Sequence, residues 1–250
     1  MKHRLGTAGL AALLLLTAAA CGHDKRDAAA TTTTASTTTT TTTAATTSST
    51  TTTTAPACPT QAAPSDTTGD STASADVDGD KHPDAVRAYN DGTGWTLHVH
   101  LSTGGDALVK VPDDSGAGVS VVGGYDVDGD GKQELWAKVG AGASAQIVGL
   151  FWLKDCALAP VMLDGNPVQL PVGGSVGTAS GVTCTKGADG TNLAVHSLSN
   201  TDGDQYHVST TTYTYANGTV TEKATTETDV SSSSAEFQND TSFTCGDLDV

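Results

Sequence analysis

Asp126-Val127-Asp128-Gly129-Asp130-Gly131-Lys132-Gln133-Glu134 places carboxylates at positions 1, 3, 5 and 9 of a short stretch, with glycine at positions 4 and 6. Alternating oxygen donors of this kind suit a hard cation such as Ca²⁺, which takes 6–8 oxygens at about 2.3–2.6 Å. Glycine at position 6 allows the positive-φ turn that wraps the chain around an ion, and the backbone carbonyl of Lys132 at position 7 completes the expected donor set. The same spacing occurs 50 residues earlier in Asp76-Val77-Asp78-Gly79-Asp80-Lys81-His82-Pro83-Asp84, where His82 holds position 7. Four carboxylates in nine residues repel one another unless a cation lies among them. An EF-hand would require a bidentate Glu at position 12. Those positions are Arg87 and Ala137, so a shorter calcium loop is expected.

Other chemistry-bearing residues are explained more simply. Gly173-Gly174-Ser175-Val176-Gly177 has the spacing of a nucleophile elbow, but no helix signal follows it, as that device requires. Asp202-Gly203-Asp204 reads as turn chemistry. His98, His100 and His207 offer no third zinc or copper ligand in sequence reach, and a polar outer strand face accounts for them. No enzymatic activity is expected.

The elements that must position the acidic loops are strands. Helical periodicity is absent, whereas short runs rich in Val, Thr and aromatic residues lie between turn signals. In one of them Trp95, Leu97, Val99 and Leu101 alternate with Thr96, His98, His100 and Ser102, which predicts one buried and one polar face. Strands are expected over 85–89, 95–102 and 107–111 around the first loop, and over 119–122, 135–139, 146–153 and 158–163 around the second. A third unit aligns with these at 181–184, 193–197, 206–215 and 219–228. Its loop, 185–191, keeps only Asp189, so no ion is expected there. A period of 50–60 residues with four antiparallel strands per unit suggests propeller-type blades.

At this point the acidic loops resemble the calcium-loop repeats called FG-GAP or VCBS, found in the β-propeller of integrin α-subunits and in bacterial surface proteins. The resemblance covers about residues 72–230. It implies an all-β fold, calcium as cofactor, and binding of a cell-surface protein or carbohydrate. Such propellers close with about seven blades, and this chain supplies about three. A partial propeller-like body is therefore expected, preceded by a disordered stalk, with a compact three-sheet body or one component of a closed assembly as the alternatives. The competing expectations are a propeller-type hydrolase and a purely structural envelope protein.

The ends of the chain point to export. Lys2, His3 and Arg4 precede an apolar run, 10–16, and the small residues Ala18-Ala19-Ala20 lead into Cys21-Gly22. This pattern resembles the lipobox of bacterial lipoproteins, which makes 1–20 a signal peptide and Cys21 a lipid-carrying N-terminus. The apolar run is too short to span a bilayer, which needs about 20 residues. From about residue 27 to 74 the chain is mostly Thr, Ala and Ser. It buries too little apolar surface to offset its ordering entropy, so a disordered linker over 21–74 and a β-domain over 75–250 are expected.

The full chain carries 12 Lys and Arg against 28 Asp and Glu. That acidity argues against nucleic acid as a partner and leaves the lipid as the membrane contact. Cys58, Cys156, Cys184 and Cys245 remain in an exported chain, and two disulfides are expected. Cys58–Cys245 with Cys156–Cys184 is preferred, because Cys58 and Cys245 bracket the domain. The other two pairings stay open.

Overall fold

The computed structural model describes residues 58–113, 115–187, 190–200 and 202–250. Cys21, the Thr-rich run up to residue 57, and Asp189 lie outside the described residues. The architecture is all-β with antiparallel sheets.

Strands β1 (Thr68–Ala75), β2 (Asp84–Asn90), β3 (Trp95–His100) and β4 (Asp106–Val111) form a four-stranded antiparallel sheet in chain order. The first acidic stretch connects β1 to β2. The ordered body thus starts upstream of residue 75. Although β1 reads as low-complexity Thr and Ser, its backbone groups pair with β2 from Ser71 to Ala75.

A second meander repeats the plan. β5 (Ser120–Tyr125), β6 (Glu134–Ala141), β7 (Ala145–Lys154) and β8 (Ala157–Pro160) follow one another antiparallel, with the second acidic stretch between β5 and β6. The alternation expected for half-buried strands is lost in β6, where Leu135, Trp136 and Ala137 are all buried. Leu135, Ala137 and Val139 pack into one apolar cluster with Leu97, Val99 and Val86 of the first sheet. Trp136 enters another cluster with Leu193, Tyr215 and Phe243. The second meander is therefore covered on both faces.

Beyond β8, the short pair β9 (Met162–Leu163) and β10 (Asn166–Pro167) leads into β11 (Gln169–Gly174). β11 takes the part of the β7 edge that β8 leaves open, so the sheet continues into β12 (Thr178–Gly187), β13 (Gly190–Asn200), β14 (Gln205–Ala216) and β15 (Thr219–Ser231). Where a third loop was expected over 185–191, β12 and β13 stay in register to their ends, with Lys186 opposite Thr191. Ser175 lies in the turn joining β11 to β12. Asp202 sits in the turn between β13 and β14, accepting from the N–H of Gln205 at 3.2 Å.

The chain then forms α1 (Ala235–Asp240), N-capped by Ser234, and β16 (Phe243–Thr244), which runs parallel to β12. This return sets the disulfides. The bridges are Cys58–Cys156 and Cys184–Cys245, not the preferred Cys58–Cys245 and Cys156–Cys184. The last strand turns back beside β12 and brings Cys245 to Cys184, while Cys58 reaches the β7–β8 turn.

The segment leading from Cys58 also corrects the expected polar outer face. The N–H of Asp106 donates to Pro59 O at 2.9 Å, and that of Gln61 to Asp106 Oδ2 at 2.6 Å. Thr96 and His98 are buried, with His98 Nε2 2.7 Å from Asp106 Oδ1, whereas His100 and Ser102 on the same face are exposed as expected. His207, by contrast, is exposed enough to pair with Asp229 at the surface, 3.0 Å away.

Each bridge closes a long loop, 98 and 61 residues apart in sequence. Loops of that size constrain the unfolded chain by about 4–5 kcal/mol in entropy terms. Peptide mapping without reduction is expected to recover Cys58–Cys156 and Cys184–Cys245 fragments. The Cys184→Ala/Cys245→Ala double variant is expected to lose several kcal/mol in a denaturant melt. Any other pair of linked peptides contradicts this topology.

Candidate metal centres

The two acidic loops are built by one set of hydrogen bonds. At position 1, Asp76 accepts from the N–H of Gly79 at 2.8 Å and of Lys81 at 2.9 Å. Asp126 accepts from Gly129 at 2.6 Å and from Gly131 at 3.1 Å. At position 3, Asp78 and Asp128 accept from the N–H two residues on, at 3.1 and 3.2 Å. At position 5, Asp80 and Asp130 accept from the N–H of His82 and Lys132, at 2.7 and 2.8 Å. At position 9, Asp84 and Glu134 each take the N–H of position 2, Val77 and Val127, at 2.9 Å.

Backbone shape follows from these turns. Positions 4 and 6 have positive φ in both loops: Gly79 at 80° and Lys81 at 69°, Gly129 at 80° and Gly131 at 91°. Lys81 thus holds a conformation that costs a side-chain-bearing residue about 1–2 kcal/mol. The valine at position 2 is the anchor. Val77 enters the cluster shared by the first sheet and the second meander, and Val127 the cluster beyond it.

The loops are also neighbours. The N–H of Gln133 donates to Asp76 O at 2.8 Å, and the N–H of Asp76 donates to Gln133 Oε1 at 2.9 Å. The last side chain before β6 thereby clamps the first residue of the other loop.

Carboxylate oxygens of Asp76, Asp78 and Asp84 lie within 4.8 Å of one another, as do those of Asp126, Asp128 and Asp130. These are the groups able to hold a cation, and the donors are all oxygen. Asp80 is turned aside to accept from the hydroxyl of Ser102 at 2.7 Å, which is the main reason its carboxyl sits below the usual range. Glu134 lies outside the second trio. His82 and Lys132 have exposed side chains and donate their N–H groups to position 5.

Burial dominates the electrostatics. It raises Asp84 and Asp128, and neighbouring aspartates add to both shifts. Glu134, only 5% exposed, is pushed up to about 7, chiefly by burial and then by Asp128. It is also hydrogen-bonded to the Tyr215 hydroxyl, whose own proton is held more tightly by burial and by Glu134. A cavity of about 90 Å³ opens here, lined by Asp128, Asp130, Glu134, Trp152 and Tyr215. No local pattern points to Tyr215, because it arrives on β14 from a distant part of the sequence.

Comparisons with protein-family models, with curated proteins and with solved structures find no match for this chain.

Glu134 generates a pH dependence in metal-free protein. Its folded value lies above the ordinary 4.5, so its contribution to stability is complete below about 4.5 and is lost as pH rises through about 7. Melts in chelator are expected to fall in midpoint across that window, and Glu134→Gln is expected to flatten the fall. An unchanged slope in the variant places the titration elsewhere.

Proposed function

We propose that this chain is an exported, lipid-anchored calcium-binding protein without catalytic activity. On this reading its β-body is an open array of about three propeller-like blades akin to FG-GAP or VCBS repeats. It binds a protein or carbohydrate at the cell surface, and the Thr-rich stalk holds it away from the membrane through Cys21.

The observation that carries the proposal is the duplicated loop. Two stretches 50 residues apart join the first two strands of antiparallel meanders through matching backbone hydrogen bonds, and each gathers three carboxylates, at positions 1, 3 and 9 in the first and 1, 3 and 5 in the second. A surface turn rich in Asp has no reason to repeat its donor pattern at positions 1, 3, 5 and 9. Crowded carboxylate oxygens, with proton affinity raised at Asp84 and Asp128, are what a divalent cation relieves. Bound calcium would supply positive charge and coordination to Asp76, Asp78 and Asp84, and to Asp126, Asp128 and Asp130. Asp80, Glu134 and the carbonyls of His82 and Lys132 remain the further donors within the two stretches.

The hydrolase alternative has its best support in Glu134 and Tyr215. Their cavity of about 90 Å³ is well below the range of about 300–1,000 Å³ typical of small-molecule sites, and Glu134 is tied to the loop backbone. A role confined to metal binding and structure suits that pair better.

Extracellular sites of this class bind calcium at about 10⁻⁴–10⁻³ M. A tenfold excess over the dissociation constant adds roughly 1.4 kcal/mol per site. Two sites correspond to about 5–10 °C in melting midpoint for a body of this size. Chelator is expected to remove that increment, and Asp128→Ala at least half of it. Identical melts in chelator and in millimolar calcium contradict the proposal. The anchor has a separate check: wild type is expected to partition with membranes and Cys21→Ala is not, whereas freely released wild type overturns the lipid assignment alone.

A further inference from the structure

The first sheet carries its acidic loop at one end and a quite different feature at the other. Asn90 ends β2 and pairs with Trp95 at the start of β3, which pairs in turn with Val111 at the end of β4. Asp84, the last carboxylate of the loop, begins β2. The two ends are separated by about 20 Å of strand. At this far end lies a cavity of about 510 Å³, lined by Asn90, Trp95, Lys110, Val111, Pro112 and Asp113. That volume falls within the range of about 300–1,000 Å³ usual for small-ligand sites.

The indole of Trp95 is fixed in place rather than packed away. It is half-buried, with its inner side against the apolar cluster of the first sheet. Gly69 and Gly118 press on the rim of its six-membered ring. A Cβ at Gly69 would lie 2.3 Å from Cη2, and one at Gly118 would lie 3.0 Å from Cζ2. Both glycines have positive φ, 67° and 85°. Two stretches of bare backbone thus clasp one edge of the ring. An aromatic platform that has already lost its rotamer freedom binds at low entropic cost.

The surrounding polar groups fall into two classes. The charged ones are already matched. Lys110 Nζ donates to Asp91 Oδ2 at 2.8 Å and to Thr93 Oγ1 at 3.1 Å. Asp113 accepts from the N–H of Gly118 at 2.9 Å and from the Ser115 hydroxyl at 3.0 Å. The neutral donors are open. Neither the Asn90 side-chain amide N–H groups nor the Trp95 indole N–H donates to any described residue, while Asn90 Oδ1 already accepts from Gly92 at 2.8 Å.

We infer that this cavity is a binding site for a neutral sugar ring, a pyranose whose C–H face lies on Trp95 and whose hydroxyls meet Asn90 and the indole N–H. This inference rests on the reading of the chain as a surface-binding module and names the ligand class of that module. An anion has no unpaired cation to meet here and faces a chain of net charge −16. A quaternary ammonium ion would want an aromatic cage or an uncapped carboxylate. This cavity presents one ring, and Asp113 is already capped. A neutral polyol with one apolar face fits what remains.

The test uses the full mature chain with ¹⁵N-labelled indoles, because its three tryptophans, Trp95, Trp136 and Trp152, give three separable signals. Methyl glucoside, methyl galactoside, methyl mannoside and N-acetylglucosamine are the neutral probes; glucuronate and choline are the charged ones. A saturable shift of the Trp95 signal with at least one neutral probe is expected, while the Trp136 signal stays still. Asn90→Ala is expected to weaken binding by about tenfold in the same titration, corresponding to about 1.4 kcal/mol, and Trp95→Ala, which removes the reporting indole, is expected to show the same loss by titration calorimetry. Asn90→Ala carries the test if Trp95→Ala fails to fold. A Trp95 shift with choline or glucuronate alone overturns the ligand class, and no shift with any probe overturns the site. The calcium-dependent melt separates the two ideas. If it persists when the titration fails, only the sugar site is lost; if it is absent when a sugar binds, only the metal reading is lost.

Discussion

Like charge held at short range is the constraint on which this structure depends. Three carboxylates within 4.8 Å of one another repel by between about 1 and about 3 kcal/mol per pair, depending on how much water screens them. The chain meets this twice in the same way, by aiming backbone N–H groups at each carboxylate. Asp76 and Asp126 each accept two, which is possible only because the residues at positions 4 and 6 take positive φ. Partial charges on the backbone therefore offset part of the repulsion before any cation is considered. Burial first, and neighbouring aspartates after it, raise the proton affinity of Asp84, Asp128 and Glu134.

Those loops are tied to the packing rather than hung on it. Val77 and Val127 are buried, and each gives its N–H to the carboxylate that begins the following strand. A change at Asp84 or Glu134 therefore disturbs both the charge cluster and an apolar anchor. Gln133 then links one loop to the other, so the two centres behave as neighbours across the contact between the first sheet and the second meander. Because that meander is covered on both faces, loop geometry is communicated to both clusters of the core.

The two bridges act at the periphery of this arrangement. Cys58–Cys156 fastens the segment that binds Asp106 beside His98, so part of an outer face is buried while His100 and Ser102 stay exposed. Cys184–Cys245 fastens the returning chain beside β12 and closes that stretch of sheet edge. Both ties join segments far apart in sequence. That suits a body whose sheet stays open instead of closing on itself, where unpaired edges invite association with other chains.

Much of this was legible in the residues. Asp, Gly and their spacing specify the acidic turns, because those turns are local and are made by hydrogen bonds two to five residues apart. Alternation and turn signals likewise locate β2, β3, β4, β6, β7 and β8 to within a few residues, since a strand bordered by Gly or Asn declares its own ends. What tertiary structure alone decided involves partners distant in the chain. β1 has no apolar signature and is a strand because β2 and β5 need it, with the Ser71 hydroxyl accepting from the N–H of Val121 at 2.9 Å. His98 is interior where the segment from Cys58 binds its partner Asp106, and Glu134 has its raised proton affinity because the surrounding core excludes water. Cysteine pairing followed the return of the last strand to β12, which no spacing encodes. Local hydrogen bonding is written in short patterns, whereas burial depends on which surfaces meet once the whole chain has packed.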